Sequence, residues 1–71
     1  MKFIYDPCTD TLSIIFRDET VAESDELREG LIVDYDHNGK IFFIELLDAS
    51  ENVSEPIGVI YELKEMKAAI Y

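Results

Sequence analysis

The stretch Asp34 to Glu45, DYDHNGKIFFIE, constrains the fold of this chain more than any other. Asp34, Asp36, Asn38, Gly39 and Glu45 fill every required slot of the EF-hand calcium-loop pattern. Such a loop also needs an incoming and an outgoing helix, and usually a paired second loop. Here Leu31-Ile32-Val33 precedes it and IFFIELL follows, a branched and aromatic composition that favours strands. The ninth motif position is Phe42, which offers no oxygen, and no second loop exists in the sequence. The competing reading is a β-hairpin, because Asn-Gly is the strongest short signal for a two-residue type I′ turn. With Asn38-Gly39 as its loop, opposed residue numbers sum to 77. One face then carries Leu31/Leu46, Val33/Ile44 and Tyr35/Phe42; the other carries Ile32/Glu45, Asp34/Phe43 and Asp36/Ile41. A three-residue His37-Asn38-Gly39 loop shifts the sum to 76 and sets Asp34 opposite Phe42, spoiling the apolar face. At a rise of ~3.3 Å per residue, Asp34 and Asp36 share a face while Glu45 lies well down the partner strand. The three carboxylates are therefore candidates for a weak divalent-cation site, not for a cage around calcium.

Upstream, Lys2 to Tyr5 and Thr11 to Arg17 read as two strands around the turn DPCTD. Pairing residues whose numbers sum to 17 puts Phe3 beside Ile14 and Tyr5 beside Leu12, which builds one apolar face. Asp18 to Gly30 is the most acidic stretch and reads either as a loop or as an irregular edge strand over Val21 to Leu27. From Ser54 the period changes: Val59, Leu63, Met66 and Ile70 recur at steps of four, three and four, one stripe of a helix. Ser54 is the candidate N-cap and Pro56 is tolerated in a first turn, although Gly58 weakens it and IGVIY alone also reads as a strand.

A chain of 71 residues is one domain, 1–71. A domain of this size buries only ~60% of the surface its unfolded chain exposes, so a disulfide, a metal or a partner often supplies the missing stability. Cys8 is the single cysteine, which excludes a disulfide within the chain. The free thiol, with no membrane-length apolar run and no signal-like start, points to the cytoplasm. The 16 acidic and 6 basic side chains give a formal net charge of −10. That charge disfavours nucleic acid and anionic membranes and suits a basic protein partner.

The opening Lys2-Phe3-x-Tyr5-Asp6-Pro7, the strand TLSIIF, the segment VAESDELREGLIVDYD, the Asn38-Gly39 turn and the run Ile44 to Ser50 (IELLDAS) occur in this order. Over residues 1–50 they resemble the small prokaryotic family called domain of unknown function 2283. The resemblance implies a compact β-meander with a helical element and an association with two-gene modules of the toxin–antitoxin kind. It implies no catalytic residue and no cofactor.

The residues themselves offer little chemistry. Cys8 and His37 lie in separate turns, where solvated residues are common, and a nucleophilic pair would need them in contact. No serine sits in a G-x-S-x-G setting, and Gly30, Gly39 and Gly58 are isolated. The expectation is therefore an α+β domain: an antiparallel β-meander of four to five strands with a C-terminal helix packed on one face. Its expected role is a non-enzymatic, cofactor-free protein-interaction module, antitoxin-like towards a basic partner; a weak cation-binding hairpin is the alternative. With the helix on the clean face, Ile32, Ile41, Phe43 and Leu47 become the interface candidates for a homodimer.

Overall fold

A computed structural model describes residues 1–64 of the chain. Five strands form one antiparallel sheet: β1 (Lys2–Asp6), β2 (Thr11–Ile15), β3 (Glu23–Arg28), β4 (Leu31–Tyr35) and β5 (Ile41–Leu46). One short helix, α1 (Ala49–Asn52), follows. The described part is thus mostly β, with no helix long and apolar enough to cross a membrane among the described residues.

The spatial order is β1-β2-β5-β4-β3, so the sheet is not a simple meander. β3, β4 and β5 follow one another as hairpins, while β2 pairs with β5, which makes β2 to β5 a Greek-key arrangement. Composition explains the departure. IFFIEL, the most apolar strand, takes the centre, and the acidic ESDELR of β3 takes an edge, with all six residues exposed. Charges there block edge-to-edge pairing with other sheets. The connection from Ile15 to Glu23 spans three strand spacings of ~4.8 Å, well within its extended reach.

The β1–β2 register pairs Phe3 with Ile14 and Tyr5 with Leu12, as the apolar alternation requires. The β4–β5 pair is subtler. Leu31↔Leu46, Val33↔Ile44 and Asp34↔Phe43 keep the sum of 77, but Tyr35 faces Ile41, and Phe42 is the extra residue of a bulge. At the tip, the Asp36 N–H donates to the Lys40 carbonyl at 2.8 Å and the Gly39 N–H to the Asp36 carbonyl at 3.0 Å. The loop is therefore the three-residue His37-Asn38-Gly39, with Gly39 at φ +77° and Asn38 outside the positive-φ region that a type I′ turn demands. The bulge absorbs the one-residue shift, so the apolar face survives the longer loop.

The expected C-terminal helix is not present in the described residues. Residues 54–64 carry no helix, and Met66 and Ile70 lie outside the described part. Gly58 weakens a first turn there, and Val59 and Leu63 are exposed, so no buried stripe holds a helix in place. Among the described residues the buried apolar ones are few: Val33 and Phe42 on the central strands, and Ala49 at the start of α1.

Candidate functional site

Two polar clamps tie the sheet together at opposite ends, and the first consumes a carboxylate that the sequence offered as a cation ligand. The first centres on Asp36, 6% exposed. One carboxylate oxygen accepts the backbone N–H groups of Asn38 (2.9 Å) and Lys40 (3.0 Å), closing the hairpin tip. The other accepts the Arg17 guanidinium at 2.7 Å. Arg17 also donates to the Ile41 carbonyl at 3.3 Å, so the ion pair straddles the start of β5 from the strands on either side. The Lys40 N–H, then Arg17 and the Asn38 N–H, hold the Asp36 carboxyl below its usual range against the opposing effect of burial.

The three cation candidates therefore do not converge. Asp36 is fully engaged, Asp34 accepts the Ser24 hydroxyl at 2.6 Å across β3–β4, and Glu45 stands between Ile32 and Ser13. Among the described residues, no group of three or more His, Cys, Asp or Glu side chains is placed to hold a metal ion.

The second clamp joins the β1–β2 turn to α1. Asp10, at φ 53°, receives the Tyr5 hydroxyl at 2.6 Å and the Ser50 N–H at 3.0 Å on one oxygen, and the Ser50 hydroxyl at 2.6 Å on the other. Its carbonyl accepts the Ala49 N–H at 2.9 Å. Asp48, which precedes the helix, makes no side-chain cap, so Asp10 supplies the cap from forty residues away. The Ser50 hydroxyl, followed by Tyr5, lowers the Asp10 carboxyl, and the Asp10 bond raises the Tyr5 phenol. Sequence reasoning gave Asp10 no role; its only local signal is a polar residue just before a strand.

Cys8 and His37 are both exposed, in the β1–β2 turn and the β4–β5 loop. These turns sit at opposite ends of β5, a six-residue strand of ~20 Å. The two side chains are not brought together.

The remaining feature is the sheet's clean face. By register, Phe3, Leu12, Ile14, Ile44, Leu46, Leu31 and Val33 share it, and of these only Val33 is buried. On the opposite face, Ile32 and Phe43 are half-buried, while Ile41 and Leu47 are at the margin of exposure. That face already carries the Arg17–Asp36 pair and the Ser24–Asp34 bond, which break up its apolar surface.

A family model described as "Protein of unknown function (DUF2283)" matches residues 2–50, more than half of the chain, ending at the serine that Asp10 holds. No curated protein and no solved structure matches the chain.

Proposed function

We propose, from the premise that this chain belongs to the DUF2283 family, that it is a non-enzymatic interaction module that pairs with a second copy through its clean sheet face. The observation that carries this reading is the face itself, which no described element fully covers: of seven apolar side chains in register, Val33 is buried, Phe3 is exposed and the other five are half-buried. Unpartnered apolar surface of this kind marks an interface.

The interface thereby moves from Ile32, Ile41, Phe43 and Leu47 to the clean face, because no described element covers the latter. The acidic surface is left facing outward, where its charge would speed the encounter with a basic protein; an antitoxin-like pairing with the product of an adjacent gene is the sharpest form of this role. Sedimentation equilibrium from micromolar to millimolar chain tests the first part, with a dimer expected. A monomer throughout that range overturns the self-association. Co-expression with the neighbouring gene tests the second, and recovery of no basic partner counts against it.

A further inference from the structure

The two edges of the sheet are built differently. β3 closes one edge with six exposed residues, most of them charged. β1, KFIYD, forms the other, with Phe3 and Ile4 exposed and no charge between Lys2 and Asp6. Its open backbone groups follow from the ladder. The Phe16 N–H donates to the Phe42 carbonyl at 2.8 Å, in line with the pairs Leu12↔Leu46 and Ile14↔Ile44. Hydrogen-bonded and open pairs alternate along antiparallel strands, so Thr11, Ser13 and Ile15 turn their backbone groups to β1. Their partners Asp6, Ile4 and Lys2 bond inward, and the N–H and C=O of Phe3 and Tyr5 point out of the edge. We propose, beyond the face-to-face reading, that β1 pairs antiparallel with β1 of a second copy, joining the two five-stranded sheets into one.

One register fits. With a two-fold axis at Ile4, opposed residue numbers sum to 8: Phe3 meets Tyr5, Ile4 meets Ile4, and Lys2 meets Asp6 of the second copy. Phe3 and Tyr5 then exchange backbone hydrogen bonds across both halves of the contact. Lys2 finds an opposite charge at each end, the arrangement that stabilises cross-strand neighbours. A sum of 10 sets Phe3 against Pro7, which has no N–H, and a sum of 6 sets Lys2 against Ile4 and leaves Asp6 without a partner. The acidic β3 edges lie at the far ends of the joined sheet. Each is four strand spacings, ~19 Å, from its own β1, beyond the Debye length of about 8 Å at physiological salt, so their repulsion is screened. The contact is isologous and leaves the two clean faces on the same side, open to face-to-face pairing. Where both contacts form, association continues from two copies to four.

The experiment is disulfide trapping in the full-length chain. Ile4 sits on the axis as an open pair, where Cα atoms approach to ~4.5 Å, within disulfide range. Ile4→Cys, made with Cys8→Ser, is expected to form a covalent dimer on mild oxidation at least tenfold faster than Val21→Cys, at another exposed position, in the same background. In a face-to-face pair Ile4 points away from the interface, opposite to Phe3 and Tyr5, so the trap reads the edge alone. Adding Lys2→Glu or Asp6→Lys sets like charges opposite each other and is expected to slow trapping about fivefold. An equimolar mixture of these two variants sets opposite charges at both ends and is expected to trap as a heterodimer at the original rate. The Asp6 carboxylate also accepts the Cys8 N–H at 2.9 Å, so far-UV circular dichroism checks the sheet of that variant. Should it unfold, Ile4→Cys decides alone. If Ile4→Cys is trapped no faster than Val21→Cys, the edge contact is overturned, while the face-to-face reading still stands or falls on its own sedimentation test. Fast trapping that the mixture fails to restore overturns the register through Ile4.

Discussion

Asp36 accepts three hydrogen bonds through its carboxylate, as many as Asp10 does, and its chemistry sets a pH dependence. Its folded carboxyl lies below the ordinary value of 3.8, held there first by the Lys40 N–H and then by Arg17. A carboxyl lowered on folding contributes stability that is complete above about pH 5 and is lost as pH falls through the folded value. Asp10 is lowered too, by Ser50 and Tyr5, and acts in the same window with the same sign. Asp36→Asn keeps an oxygen for the loop N–H groups but removes the charge facing Arg17. The variant is expected to have a lower urea midpoint at pH 7 and a shallower decline between pH 5 and 3, with the residual slope belonging to Asp10. Equal slopes for the variant and the unaltered chain would show that the Arg17 pair contributes nothing to acid sensitivity. Nothing local in the sequence announces this role. Asp36 looked like a ligand because its neighbours fit a motif, and Arg17, nineteen positions upstream, looked like the end of a strand. Only the placement of β2 beside β5 brings the two together.

At the level of elements, what alternation controls was legible and what long-range topology controls was not. The β1–β2 register and most of the β4–β5 register follow from keeping apolar residues on one side of a two-residue period. The strand order does not, because burial of IFFIEL at the centre is a competition among strands rather than a property of one. The hairpin loop shows a finer limit. Asn-Gly signalled the turn correctly, but the Asp36 carboxylate caps two N–H groups of a three-residue loop, and the bulge at Phe42 repairs the register. This makes an asymmetric prediction. Gly39 is at φ +77° with open space where a Cβ would go, so Gly39→Ala pays only backbone strain, ~1–2 kcal/mol. Asn38 lacks a positive φ and contributes its backbone N–H to Asp36, so Asn38→Ala is expected to stay within ~0.5 kcal/mol. Urea denaturation of both variants reads the contrast; comparable losses would restore the type I′ turn.

For the molecule as a whole, a small buried core is set against a large uniform charge. Val33, Phe42 and Ala49 are the buried apolar residues among those described, while the chain carries a formal −10. Self-repulsion of that size works against compaction, and its range is set by salt: the Debye length is about 30 Å at 0.01 M and about 3 Å at 1 M. The whole sheet lies within the longer distance, and hardly more than neighbouring side chains lie within the shorter one. The ion pair at Asp36 pulls the other way, but it is one contact, and its carboxylate is largely shielded from solvent, so screening weakens it less than it weakens the acidic surface. Sodium chloride is therefore expected to stabilise the fold at pH 7, raising the thermal midpoint by several degrees between about 0.01 and 0.5 M, where an exposed salt-bridge network would lose stability. Differential scanning calorimetry at one fixed chain concentration makes the comparison, since any dimer would add its own concentration dependence. A midpoint that is flat or falls with salt would mean that the acidic residues are already neutralised by partners within the fold, and that the surface offered to a basic protein is smaller than the charge count suggests.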